Sequence, residues 1–326
     1  MTGSYDVEVW SSKVKFKLHI NRSITIIRGE SATGKSTLVS MVDGYASYGT
    51  ASGICIKSEV PCIAMNRFNQ NDMHSHSIIF LDEGAEALIS GKVQKAIDGM
   101  DAYVVIVTRD KIGVNELHRY AGLPVDICAI KRLRYSGRYV EDRRETIMES
   151  IYTGSKKRAP LNNFDTIIVE DEKSGYTFWK MVAKLVDKEM VVYTARSNSN
   201  VADMAVEYCR NGHNVLMVVD AAAYGCYMGI AEKAMKICKS RLALLAPESF
   251  EYMLLVSDTI QGVKRDILSN PEDYADSTRY KSIERFFTDY LIQITRGTPY
   301  EYSKSHLNSA YTSDSNISKI KRNFVE

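Results

Sequence analysis

The 326-residue chain contains no run of about 18 apolar residues, which excludes a membrane-spanning helix at the level of sequence. The opening MTGSYDVEVW lacks the basic-then-apolar order of a secretory leader, so a cytoplasmic location is expected. The six cysteines, at 55, 62, 128, 209, 226 and 238, form no CxxC pair and join no histidine at zinc spacing. A zinc module is therefore excluded, and the thiols are expected to be buried and reduced. Excess charge is also scarce. Forty-two Lys and Arg against 40 Asp and Glu leave a net +2, too little to assign a nucleic-acid partner by charge alone. No internal repeat is present.

What is present is ordinary globular material, 45% hydrophobic and 25% charged, at a length that suits two domains. Residues 5–20 alternate apolar and polar in two short runs and read as a β-hairpin. Buried strands are read at SITIIR (23–28), SIIFL (77–81) and YVVIVT (103–108), with helices at 36–45 and 84–100 and a hairpin over 128–140 turning at Ser136-Gly137. The polar YTGSKKRAPLNN (152–163) reads as a linker. After it come strands at 166–169, 190–193 and 215–219 and helices at 176–186, 200–211 and 229–240, and from Pro247 onward helices dominate. Alternating strands and helices imply parallel sheets in both halves. Basic residues crowd one segment (Lys131, Arg132, Arg134, Arg138, Arg143, Arg144), followed by Lys156, Lys157 and Arg158. Such a run suits either a solvated face or contact with a phosphate backbone.

Residues 29–36, Gly-Glu-Ser-Ala-Thr-Gly-Lys-Ser, match the phosphate-binding pattern GxxxxGK[ST], with a strand before and a helix after. Backbone N–H groups of such a loop and the first helical turn face an anion. Gly29, Glu30, Ser31, Ala32, Thr33, Gly34, Lys35, Ser36 and Thr37 are thus the candidate nucleotide-binding residues. Lys35 supplies charge to the β- and γ-phosphates, and the Ser36 hydroxyl is a Mg²⁺ ligand. In SIIFLDE an apolar strand ends in Asp82, read as the second Mg²⁺ ligand, and Glu83, read as the base that polarises an attacking water. Alternatively, Asp82 caps the next helix and Glu83 is an ordinary carboxylate in its first turn. The chain has no NKxD element for guanine, so ATP is expected over GTP.

The Asp-Glu pair and the leading hairpin resemble the ABC-type ATPases, including the ATPase domains of the OLD-type nucleases, over about residues 5–140. The resemblance implies ATP hydrolysis with Mg²⁺ and closure of the site by a second subunit, hence a homo-oligomer. The chain departs from that pattern in three places. No LSGGQ-like signature precedes Asp82, only about 45 residues separate Lys35 from Asp82, and Thr108, Arg109 and Asp110 stand where the family often has a histidine. Arg109 reads either as a γ-phosphate sensor or as half of a surface ion pair.

In the C-terminal half, TIIVEDEKSG ends a strand in Glu170, and about fifty residues later VLMVVDAAAYG ends another in Asp220. Strand ends of one parallel sheet lie together, so this pair is either a second Mg²⁺ site or two helix caps. The arrangement resembles a Toprim domain over residues 165–240, the fold that also forms the nuclease half of the OLD-type proteins. Ser174 and Ala222 stand where that family carries further acids, which implies weak or absent nuclease activity, with Asp171, Glu172, Glu248 or Glu251 as candidate replacements. The whole chain also resembles a bacterial family of P-loop proteins sometimes labelled as translation initiation factors, through IIRGESATGKSTL, IIVEDEKSGY, VVDAAAYG and LAPESFEYMLL. No residue here supports that label.

The expected fold is therefore α/β. A P-loop NTPase domain with a mostly parallel sheet (1–150) is followed by a linker (151–163), a Toprim-like α/β domain (164–246) and a helical C-terminal region (247–326). The expected function is that of a Mg²⁺-dependent ATPase acting on nucleic acid, in phage defence or genome maintenance by resemblance. The alternative is an ATP-driven switch of conformation or oligomeric state without nuclease chemistry, docking a protein partner through the C-terminal helices. Membrane association is not expected.

Overall fold

The computed structural model describes residues 1–29, 32–65, 75–89, 99–109, 129–150, 160–224 and 227–325. The chain divides into two compact units, Met1–Tyr152 with Asn270–Ile283, and Thr153–Ser269 with Glu284–Glu326.

The first unit is built on strands β1 (Tyr5–Trp10), β2 (Val14–Ile20), β3 (Ile24–Arg28), β4 (Cys55–Lys57), β5 (Cys62–Ala64), β6 (Ser77–Asp82), β7 (Ala102–Val107), β8 (Ala129–Val140) and β9 (Arg143–Ser150). They form one sheet in the order β4-β1-β2-β9-β8-β3-β7-β6-β5. In the half from β8 to β5 every pairing is parallel. There β6 and β7 are buried almost end to end, as strands covered on both faces must be. The other half contains antiparallel pairs, β1 with β2, β1 with β4 and β8 with β9, beside a parallel β2–β9 pair. The sheet is thus mixed. The mostly parallel sheet expected from strand–helix alternation describes its β8–β5 half. The antiparallel pairs β1–β2 and β8–β9 follow from hairpin connections, which reverse chain direction.

The second hairpin differs from expectation in its turn. Strand β8 runs through Ser136-Gly137 to Val140, and the chain reverses at Glu141 (φ 51°) and Asp142 (φ 62°). Two successive left-handed residues are what a two-residue hairpin requires. Gly137 (φ 84°) instead lies at a register shift between Tyr135 and Tyr139, a β-bulge that uses the same backbone freedom.

Helix α1 (Lys35–Tyr48) follows β3 and buries Leu38, Val39, Met41 and Val42. Helix α2 (Glu86–Ile89) covers the described start of the helix expected at 84–100; residues 90–98 lie outside the described set, as does residue 128. The stretch Asn270–Ile283 belongs to this unit. Gly3 N–H donates to the Glu272 carbonyl at 2.7 Å, Ser277 N–H to the Met1 carbonyl at 2.8 Å and Ser23 Oγ to the Tyr280 carbonyl at 3.1 Å. The Met1 ammonium pairs with Asp101 and donates to Ser277 Oγ at 2.8 Å. Residues 247–326, expected as one helical region, are consequently shared between the two units.

The second unit has strands β10 (Thr166–Val169), β11 (Val191–Thr194), β12 (Val215–Val218) and β13 (Leu242–Leu245), ordered β11-β10-β12-β13 and all parallel. Its helices are α3 (Ser174–Val186), α4 (Asn198–Arg210), α5 (Ala221–Tyr224), α6 (Met228–Cys238), α7 (Phe250–Leu255), α8 (Arg265–Ser269), α9 (Ile283–Thr295, from Glu284 onward) and α10 (Asp314–Lys321). Strand β13 went unread in the sequence because a four-residue apolar run, LALL, carries no periodicity that separates strand from helix. Helix α3 supplies Phe178 and Trp179 to the core, both fully buried, with Phe178 packed 5.7 Å from Phe250 between ring centroids. Among the described residues no helix is long and apolar enough to cross a membrane.

Candidate functional sites

In the first unit the candidate residues gather at the C-terminal edge of the parallel half-sheet. Ile27 of β3 pairs with Val107 of β7, and Val107 pairs with Asp82 of β6. Gly29, Thr108 and Asp82-Glu83 therefore stand at or just after the ends of three adjacent strands at one level. At about 4.8 Å per strand, Asp82 stands about 10 Å across the sheet from the end of β3.

Within the loop Ala32 (φ 67°) and Gly34 (φ 88°) take left-handed backbone. Gly34 has a further constraint, since a Cβ there would lie 3.1 Å from the Phe16 ring. Lys35 opens α1 and is buried at 7% exposure, its ammonium donating to the Gly29 carbonyl at 2.6 Å and to Thr33 Oγ1 at 2.8 Å. Ser36 and Thr37 follow in the exposed first turn. The N-cap of helix α1 is Gly34, which makes no side-chain cap hydrogen bond. Glu30 and Ser31 lie outside the described residues.

The Asp82 carboxylate accepts the Glu83 N–H at 2.7 Å, and its carbonyl accepts the Ala85 N–H at 2.9 Å. Glu83 turns toward the end of β7. One oxygen takes the Arg109 N–H at 2.7 Å, and the other pairs with Arg109 Nε at 2.8 Å. Of the two readings of Arg109, the structure contains the ion pair.

In the second unit Glu170 and Asp220 leave the neighbouring strands β10 and β12 side by side, the Asp220 N–H lying 3.5 Å from Glu170 Oε2. Among the described residues neither carboxylate accepts a hydrogen bond from a helix N–H. The N-cap of α3 is Lys173, and the Asp220 carbonyl, not its side chain, accepts the N–H groups of Ala223 and Tyr224. Two acids from distant helices join them. One carboxylate oxygen each from Asp220, Glu251 of α7 and Glu284 of α9 lie within 4.8 Å of one another. Glu251 is buried and accepts the Tyr302 hydroxyl at 2.9 Å. The Lys304 ammonium pairs with Glu284. Apolar groups of Val169, Trp179, Val218, Pro247, Phe250 and Met253 wall the cleft.

This surrounding sets the electrostatics. Burial, then the charges of Glu284 and Asp171, push the Glu170 carboxyl up to about 8. Burial, then Glu170, Glu251, Glu284 and Asp171, raise Asp220 well above the usual carboxylate range. Burial alone would lower the Lys304 ammonium, but its hydrogen bond to Glu284 and the nearby acids leave it raised. Of the four acids proposed as replacements from sequence, Glu251 lies in the cluster and Asp171 adds charge beside it. Glu172 is exposed and pairs with Arg196 at 3.0 Å. Glu284 escaped sequence reading because it opens an amphipathic helix, where an acid is unremarkable.

A pH dependence follows. The folded chain holds the Glu170 proton up to about pH 8, whereas an unfolded glutamate releases it near 4.5. Its contribution to stability is thus complete below that lower value and is lost as pH rises through about 8. Thermal unfolding in chelator is expected to show a lower melting temperature at pH 8.5 than at pH 5.5, with Mg²⁺ restoring more at the higher pH. An equal gain from Mg²⁺ at both pH values would remove Glu170 from the site. No family model matches the chain, and no curated protein matches it either.

Proposed function

We propose that this chain is a Mg²⁺-dependent ATP-binding protein and ATPase, a P-loop NTPase unit joined to a Toprim-like unit that acts on the phosphodiesters of nucleic acid. One observation carries the nucleotide half. The buried Lys35 ammonium sits within the glycine loop at the head of α1, on the sheet edge where Asp82 and Glu83 also end. Amide donors, an ammonium and a helix N-terminus together suit a polyphosphate, Ser36 and Asp82 being the residues that would hold its Mg²⁺. Glu83 is the carboxylate suited to accept a proton from water.

The second unit fits a divalent ion by the chemistry of its donors. Glu170, Asp220, Glu251 and Glu284 are all hard oxygen ligands, the set preferred by Mg²⁺ or Mn²⁺. When bound, such an ion supplies positive charge to phosphoryl oxygens. The chain's own contribution is an apolar wall that strengthens those charges and, in Lys304, an ammonium already paired with one of the ligands. The same ammonium favours a second reading. It neutralises part of the cluster without any metal, which suits a nucleotide-driven switch that has lost cleavage.

The test is hydrolysis of ATP with Mg²⁺ by the whole chain. Glu83→Gln is expected to keep nucleotide affinity while turnover falls about 100-fold. Equal turnover in the two proteins would take the proton-accepting role from Glu83. Cleavage of plasmid or single-stranded DNA with Mn²⁺, lost on substitution of Asp220, separates the nuclease reading from the switch.

A further inference from the structure

The Glu83 carboxylate is engaged on both oxygens by one neighbour. Oε2 accepts the Arg109 backbone N–H at 2.7 Å and lies 3.5 Å from the Thr108 hydroxyl, while Oε1 pairs with Arg109 Nε at 2.8 Å. The partners differ in exposure. The Glu83 side chain is 16% exposed and that of Arg109 66%, so the guanidinium lies on the solvent side of the carboxylate. A carboxylate accepts a proton from water through an oxygen lone pair. Charge-assisted hydrogen bonds to both oxygens draw off that electron density and occupy the approach. The hold is also easily undone. An exposed pair is worth little, so the arginine can leave while the backbone N–H keeps the carboxylate oriented.

We propose that Arg109 is a positioning residue that latches Glu83 at rest, so that only the released fraction of the protein turns ATP over. The inference rests on the reading of Glu83 as the group that activates water. Its location supports a link to the nucleotide. Strand β7, which Arg109 follows, lies between the strand of the glycine loop and the strand of Asp82, so a triphosphate at the loop would offer the guanidinium a competing anion. An arginine that instead binds phosphate to promote the reaction gives the opposite sign on removal.

The experiment is steady-state ATP hydrolysis with Mg²⁺ by full-length wild type, Arg109→Ala, Arg109→Lys, Glu83→Gln and the Arg109→Ala/Glu83→Gln double variant, with nucleotide binding by calorimetry. Arg109→Ala is expected to raise kcat about fivefold, equivalent to about 1 kcal/mol, the most that such an exposed pair is worth, with KM changed less than about twofold. Arg109→Lys should fall between, because an ammonium retains charge but not the Nε geometry. The double variant should match Glu83→Gln, showing that the gain passes through that carboxylate. A merely structural arginine would lower activity and melting temperature together and could not raise kcat. Normal nucleotide affinity with unchanged or reduced kcat in Arg109→Ala overturns the latch and leaves the ATPase reading standing. Absence of nucleotide binding by wild type removes that reading and the latch with it.

Discussion

Lys35→Ala is expected to abolish measurable nucleotide binding. Its ammonium is nearly buried and donates to the Gly29 carbonyl and the Thr33 hydroxyl, so the side chain both braces the loop and places a full charge within it. Alanine removes the charge and leaves two acceptors lining the proposed phosphate site, which would repel an anion. Truncating one member of a desolvated charge contact costs about 2–5 kcal/mol, or roughly 30- to 5,000-fold in affinity. The fold should survive, because α1 is held by Leu38, Val39, Met41 and Val42, which the substitution leaves in place. Calorimetric titration with ATP and Mg²⁺, together with the helical circular dichroism signal, checks both halves. A folded variant that binds within about threefold of wild type would show that the loop does not grip a polyphosphate in the way proposed.

The second large effect concerns Asp220, and its sign depends on metal. In chelator, Asp220→Asn is expected to raise the melting temperature, since Asp220 is desolvated among Glu170, Glu251, Glu284 and Asp171 and an amide relieves that repulsion. In Mn²⁺ or Mg²⁺ the order should reverse, with wild type stabilised and the variant nearly indifferent. Mn²⁺-dependent cleavage of DNA, where wild type has it, should fall at least about 100-fold. A purely structural aspartate would lose stability under both conditions, so a variant less stable than wild type in chelator as well as in metal excludes the ion site. Glu251→Gln tests the same cluster from a helix, with the added loss of an ionic acceptor for the Tyr302 hydroxyl.

These expectations draw on two kinds of information. The strand–glycine-loop–helix order around the GxxxxGKS run and the apolar strands before Asp82 and Glu170 were readable because such elements are local patterns. A few consecutive residues specify the required backbone and hydrophobicity. The adjacency of Glu170 and Asp220 was also within reach, since parallel strands separated by helices align their C-terminal ends at one edge. The turn of the β8–β9 hairpin was misread because glycine supports a bulge and a turn equally well. Strand β13 was too short to show a period.

By itself, then, the sequence determined an α/β chain with a glycine loop between a strand and a helix and with acids at strand ends. Each of those features is set by neighbours along the backbone. Tertiary structure alone decided that Asn270–Ile283 returns to the first unit, and that Glu251, Glu284, Tyr302 and Lys304 complete the acidic cluster. It also decided that Arg109 holds Glu83. The physical reason is common to all three. Burial and charge act through space over a few ångströms, between residues whose separation along the chain carries no pattern to read.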